Sequence, residues 1–88
     1  MSARQSFSEQ EARVAAAAIG VDLSVAAFEL EQLRAGMDVE LEHGARDPLT
    51  NVTNDELVTT AKIALAHLNE FPDYYERLEE MEAAARAS

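Results

Sequence analysis

The chain of 88 residues contains no cysteine, and this absence excludes several kinds of chemistry. Without thiols there is no disulfide framework, no thiolate metal site and no cysteine nucleophile. Any metal ion would have to be held by carboxylates and imidazoles. Glycine is scarce as well. The three glycines lie far apart in the sequence, so they form no phosphate-binding loop.

Positive charge is also scarce. Seven Lys and Arg residues stand against seventeen Asp and Glu residues, which gives a net charge of −10. Nucleic acids and anionic membrane surfaces both require basic residues for binding. We therefore expect no nucleic-acid partner and no membrane partner. The charge instead favours a protein partner, and a basic partner would complement it.

Long apolar runs are missing too. No segment approaches the roughly 18 consecutive apolar residues of a membrane-spanning helix. The N-terminal sequence MSARQSFSEQEARV lacks the apolar stretch of a signal peptide, so a cytoplasmic location is expected. The length predicts one domain over residues 1–88, with an ordered core at about 8–82 and frayed ends.

The apolar residues that are present recur with helical spacing. Ser8 and Glu11 have the S-x-x-E spacing of a capping box, and an alanine-rich run follows as far as Gly20. No segment shows the strict alternation of a half-buried strand. The sequence therefore predicts an all-α fold, a compact single-domain bundle of four to five short helices.

The second helical region is predicted from about Ser24 to His43. Gly36 lies inside it and should kink or break the helix, because glycine is a poor helix former. Gly44 follows the last helical residue, where a residue with left-handed backbone often ends a helix.

The later helices have their own boundary signals. Thr53 and Glu56 are spaced as a capping box, with Val52 and Leu57 as a hydrophobic staple around it. Pro72 should end this helix and occupy the first position of the last one.

Two short motifs are candidates for metal binding. Glu40-x-x-His43 and His67-x-x-Glu70 each place a carboxylate and an imidazole on one helical face. If the two motifs meet, these four residues could coordinate zinc, manganese or iron. Glu42 is a possible further ligand or contact.

Both histidines also have ordinary structural explanations. His43 lies in the last turn of a helix, where histidine interacts favourably with the helix dipole. His67 lies at the boundary of an apolar stripe, where one structural hydrogen bond is common. Acids are so frequent in this chain that a glutamate three residues from a histidine is expected by chance. The sequence leaves both interpretations open.

Two further groups of residues are weaker candidates. Tyr74 and Tyr75 could line a pocket beside His67, although such aromatic pairs are more often part of a core. Arg46 could contact an anion, although a solvated pair with Asp47 is the simpler interpretation.

The segments ELEHG and IALAHLNEFPDYYERL resemble a family of small bacterial and phage proteins catalogued only as a domain of unknown function. The resemblance extends from about residue 21 to residue 81. It implies no particular activity, because the family label carries none. The residues that belong to the family pattern are Glu40, Glu42, His43, Gly44, His67, Glu70, Pro72, Tyr74 and Tyr75.

These observations favour a binding or interaction module without catalytic activity. Its predicted contact regions are the acidic surface and the loop between His43 and Thr53. The alternative is a metal-binding protein that uses the two motifs, and a third possibility is a small enzyme with a His/Tyr pocket. The sequence is compatible with a monomer or a homodimer.

Overall fold

The computed structural model describes residues 4–87, and this part of the chain contains four α-helices and no strand. The helices are α1 (Glu9–Ala18), α2 (Leu30–Glu40), α3 (Leu57–Glu70) and α4 (Tyr74–Ala87), and a 3₁₀ turn over Leu41–His43 extends α2. The prediction of an all-α bundle of four to five short helices is confirmed.

Helix α1 begins and ends as its sequence predicts. The hydroxyl of Ser8 accepts a hydrogen bond from the backbone N–H of Glu11, and the Glu11 carboxylate accepts one from the N–H of Ser8. This pair is the predicted capping box. After the last turn, Gly20 adopts a φ of +79°, a left-handed conformation that glycine adopts without strain.

Helix α2 starts later than predicted. Both the N–H and the hydroxyl of Ser24 donate to the carboxylate of Asp22, and residues 23–28 form a turn and a bend instead of a helix. The first helical turn forms only where the side-chain oxygen of Gln32 accepts a hydrogen bond from the N–H of Glu29. The local Asp–Ser hydrogen bonds compete with helix formation at Ser24. The expected break at Gly36 is absent, and α2 is continuous through this residue.

The predicted start of α3 at Thr53 is also wrong. Asn54 and Asp55 both have positive φ, so the chain turns sharply here. The helix begins at Leu57, and Glu56 caps it by accepting a hydrogen bond from the N–H of Thr59. No staple forms around the predicted box, because Val52 is 76% exposed.

Gly44 follows the 3₁₀ turn, at the predicted end of the helix. A left-handed backbone, the expected reason for a glycine here, is absent. Its φ is −107°, so it does not occupy the left-handed region. A Cβ atom at this position would overlap Oδ1 of Asp55 and lie 3.1 Å from Oγ1 of Thr53. Glycine is required at this position by close packing and not by backbone conformation.

The core lies where α1, α2 and α3 meet. Helix α2 contributes Leu33 and Met37, which are fully buried. The small side chains Ala12, Ala15 and Ala16 of α1 are buried in the same cluster. Small residues allow a close approach of α1, so few large side chains suffice to fill the core.

The segment before α1 is tied to α2 by an ionic contact. The N–H of Phe7 donates to Oδ1 of Asp38 at 2.7 Å, and the Arg34 guanidinium donates to the other Asp38 oxygen at 2.7 Å. Arg34 also donates to the Phe7 carbonyl oxygen. These hydrogen bonds satisfy the backbone around Phe7, whose side chain is 2% exposed and belongs to the core.

Helix α4 packs differently from the other three helices. It begins at Tyr74, two residues after Pro72, and none of its residues is fully buried. Its side of the molecule therefore remains largely open to solvent. Within residues 4–87, no helix is both long enough and apolar enough to cross a lipid bilayer.

Candidate functional site

Glu40, the last residue of α2, has a buried carboxylate. The residue is 3% exposed, and it is the one acidic residue buried within the described residues. Its Oε2 accepts a hydrogen bond of 2.7 Å from the hydroxyl of Tyr75 on α4. Burial raises the pKa of Tyr75 above its ordinary value, and the hydrogen bond to the Glu40 carboxylate raises it further.

Both histidines approach this carboxylate, one at each oxygen. His43 Nε2 lies 3.6 Å from Oε1 of Glu40, and His67 Nε2 lies 3.7 Å from Oε2. The fold therefore brings together the two motifs that are 27 positions apart in the sequence. Both distances are too long for direct hydrogen bonds. We call Glu40, His43, His67 and Tyr75 the Glu40 cluster.

The outer residues of the two motifs remain at the surface. Glu42 Oε1 lies 3.4 Å from His43 Nε2, and Glu70 Oε1 lies 3.9 Å from His67 Nδ1. The side chains of Glu42 and Glu70 are 52% and 66% exposed. Nδ1 of His67 is buried and has no hydrogen-bond partner among residues 4–87.

Three aromatic rings join α3 to α4 beside this carboxylate. His67 stacks on Tyr74 with ring centroids 4.2 Å apart and an angle of 8° between the rings. Tyr75 meets the other two rings edge-on. Because the stacked faces of His67 and Tyr74 contact each other, this pair contributes packing between the helices.

Gly36 explains how Tyr75 reaches Glu40. A Cβ atom on Gly36 would lie 2.8 Å from Cδ2 and 2.9 Å from Cζ of Tyr75, and still closer to Cε2. The tyrosine ring therefore lies directly on the backbone of α2. A larger residue at this position would push α4 away from α2 and separate the phenol from the carboxylate.

The geometry of the Glu40 cluster supports a structural role directly. Its contacts join the first turn of α4 to the end of α2 and to α3. As positioned, no group of three or more His, Cys, Asp or Glu residues in the described part of the chain could hold a metal ion. The remaining predicted contact residue, Arg46, is exposed in the loop after His43 and lies outside the cluster.

A groove between α2 and α4 is the feature that sequence reasoning missed. It encloses about 400 Å³. The apolar residues along its floor are Ala35, Val39, Leu68, Pro72, Tyr75 and Leu78. Tyr75 thus contributes its ring to the groove and its hydroxyl to the Glu40 cluster.

The border of this α2–α4 groove is acidic. Four exposed carboxylates line it, from Glu31, Glu76, Glu79 and Glu82, against the single cation Arg86. Glu31 is paired with Arg34, and Glu76 accepts a hydrogen bond from Gln32. Within residues 4–87, Glu79 and Glu82 form no ion pair, so their charges face solvent at the groove.

The sequence does contain a signal for this border. Glu76, Glu79 and Glu82 recur at three-residue intervals, which places them on neighbouring positions of one helical face. Leu78 lies beside them. The opposite wall cannot be inferred in the same way, because it depends on which face of α2 lies against α4.

Comparison with known proteins adds a family and no activity. No curated protein matched the chain, and no solved structure matched it. One family model matches residues 12–84, which include all four residues of the Glu40 cluster and both walls of the groove up to Glu82. The chain belongs to the family described as Protein of unknown function (DUF5661).

Proposed function

We propose that this protein is a non-catalytic interaction module that binds a basic, amphipathic helical segment of a protein partner in the α2–α4 groove. The observation that carries the proposal is the combination of an apolar floor with an acidic border in one groove. An amphipathic helix places its apolar face in such a groove, and its flanking Lys or Arg residues meet the carboxylates.

The charge of the groove argues for the class of partner. Glu79 and Glu82 carry uncompensated charges at its edge, and the whole chain carries −10. A field of this sign attracts a basic segment and accelerates its association. It also disfavours a second copy of this chain, because two copies would bring like charges together in the groove. We therefore propose a partner of different sequence.

The Glu40 cluster supports the groove indirectly. The floor residue Tyr75 is held in place by Gly36 on one side and by Glu40 through its hydroxyl. A side chain that is fixed before binding loses less conformational entropy on association than a mobile one. The Glu40 cluster thus positions Tyr75, which lines the α2–α4 groove.

The proposal is tested by selection from a display library of random peptides of about 24 residues, with the full chain immobilised. The control selection uses the Glu79→Lys/Glu82→Lys double variant. We expect peptides with aliphatic residues at helical spacing and several Lys or Arg residues. Their affinity for the double variant should be about tenfold lower, equivalent to about 1.4 kcal/mol over the two reversed charges. A Glu9→Lys variant, altered on α1 outside the groove, should bind normally.

Enrichment of no peptide over the control selection would refute the proposal. Enrichment of peptides without basic residues, bound equally by the double variant, would refute its electrostatic part. Circular dichroism of each variant verifies that the helices are intact before binding is compared.

A second candidate function is metal binding, favoured by the approach of both histidines to the Glu40 carboxylate. As positioned these side chains could not hold an ion, so Glu40, His43 and His67 would have to shift to bind zinc, manganese or iron. Glu42 or Glu70 would rotate inward to complete the site. An ion at a hundredfold excess over its dissociation constant stabilises the folded chain by about 2.7 kcal/mol. Thermal melts with each ion and with EDTA test this, and His43→Ala/His67→Ala is the control. Unchanged melting with all three ions would refute it.

A further inference from the structure

A second cleft lies next to the α2–α4 groove. It is formed by the segment between α1 and α2 together with α3, and it encloses about 370 Å³. Its apolar lining includes Ile19, Val21, Val25, Phe28 and Leu65. We call it the Val25 cleft, after the residue that is 80% exposed at its edge.

The Val25 cleft and the α2–α4 groove share two lining residues. Leu68 and Pro72 line both of them. The carbonyl oxygen of Pro72 accepts a hydrogen bond of 3.3 Å from the side-chain amide of Gln32, which holds this boundary against α2. The groove and the cleft therefore adjoin at these two residues.

The two depressions differ in charge. Four carboxylates border the groove, whereas Asp22 is the one acidic residue that lines the cleft. The Asp22 carboxylate already accepts two hydrogen bonds from Ser24, at 2.9 Å and 2.6 Å. The cleft therefore carries less charge than the groove, and its apolar lining residues fit an uncharged aliphatic or aromatic side chain.

Because the groove and the cleft share Leu68 and Pro72 and differ in charge, we propose that the Val25 cleft is a second subsite for the partner that binds in the groove. The basic helix lies in the groove, and the partner chain continues across Pro72 to place one uncharged apolar side chain in the cleft. This inference rests on the proposed function, because the occupant of the groove is the same molecule. It adds that the recognised segment is longer than the groove and has two chemically different parts.

The test compares a selected peptide of about 24 residues with its groove-binding part of about 12 residues, which spans roughly 18 Å as a helix. Binding of both is measured to the full chain and to Val25→Asp. Loss of one buried aliphatic contact should weaken the long peptide by about tenfold and leave the short peptide unchanged. Leu49→Asp, at a loop position that is 94% exposed, is the matched control and should change neither affinity.

The outcomes separate this inference from the proposed function. Equal affinity of the long peptide for wild type and Val25→Asp, or an equal loss for both peptides, overturns the second subsite and leaves the groove intact. Failure to select any peptide overturns both proposals together. Val25→Asn serves as the second variant if Val25→Asp lowers the melting temperature, and the same difference between the two peptides is expected for it.

Discussion

The hydroxyl of Tyr75 donates a hydrogen bond of 2.7 Å to Oε2 of Glu40, a residue 35 positions earlier in the chain. This contact joins the first turn of α4 to the end of α2. Because α4 has no fully buried residue, this hydrogen bond to a buried carboxylate is one of the contacts that hold it against α2. The same tyrosine ring forms part of the proposed binding groove.

Replacing Tyr75 by phenylalanine should therefore destabilise the fold. The variant removes the hydroxyl donor from a buried carboxylate, and a hydrogen bond to a charged group contributes about 1.5–3 kcal/mol. Urea denaturation followed by circular dichroism measures the change. Tyr74→Phe is the control, because the Tyr74 hydroxyl makes no hydrogen bond within residues 4–87, and its change should stay within about 0.5 kcal/mol. Equal stability of the two variants would contradict the assigned role of Glu40.

The raised pKa of Tyr75 predicts a loss of stability at alkaline pH. The folded chain retains the phenolic proton at a pH where the unfolded chain releases it. The stabilising contribution is complete below the unfolded pKa of about 10 and is lost as the pH rises above that value. The free energy of unfolding should fall more between pH 9 and pH 11 for wild type than for Tyr75→Phe. In Tyr74→Phe, where Tyr75 is the one remaining tyrosine, tyrosinate absorbance should appear above the ordinary range for tyrosine, and ionisation near the unfolded pKa of about 10 would contradict this.

Gly36→Ala should destabilise the protein, although alanine normally stabilises a helix interior by about 1 kcal/mol relative to glycine. The added methyl group collides with the Tyr75 ring, and overpacking of this kind costs about 1–3 kcal/mol. In a Tyr75→Ala background the collision is gone, so the same substitution should become stabilising. A double-mutant cycle measures this reversal of sign, and additive effects would show that the two residues are not in contact.

Gly44→Ala should affect the loop between the 3₁₀ turn and α3. The new methyl group would displace the Asp55 carboxylate, whose oxygens accept hydrogen bonds from the N–H groups of Ala45 and Arg4. We expect a loss of about 1–3 kcal/mol and faster proteolysis within the loop. Gly20→Ala is the comparison, because it strains a positive φ but meets no atom within 4 Å. It should lower the stability without increasing cleavage in this loop.

Local signals in the sequence predicted the elements that depend on neighbouring residues. The capping box of Ser8 and Glu11 and the left-handed Gly20 both act within a few positions, and both are present. The predicted helix start near Ser24 was wrong. The N–H and hydroxyl of Ser24 donate to the side chain of Asp22, and these local hydrogen bonds compete with helix formation. Of the kink or break predicted at Gly36, the break is absent, since α2 is continuous there. This glycine instead accommodates a side chain 39 positions later. No local pattern carries that information.

The candidate site divides in the same way. The motifs around His43 and His67 indicated residues that do meet, since each approaches Glu40. Spacing alone could not show that Tyr75 would take the short hydrogen bond and that the imidazoles would remain at 3.6 Å and 3.7 Å. The spacing of Glu76, Glu79 and Glu82 indicated one acidic border, but the groove itself could not be predicted, because its walls come from helices that are separated by all of α3.

The partial burial of α4 couples ligand binding to the local folding of this helix. A helix without a fully buried residue is held by a smaller free energy than the other three helices, so it should open before they unfold. Such opening removes one wall of the groove. A ligand that binds only when α4 is docked shifts the equilibrium between docked and open α4. Its apparent affinity therefore depends on the fraction of molecules in which α4 is docked. Substitutions at Gly36 or Tyr75 would weaken recognition through this population, even for a ligand that contacts neither residue.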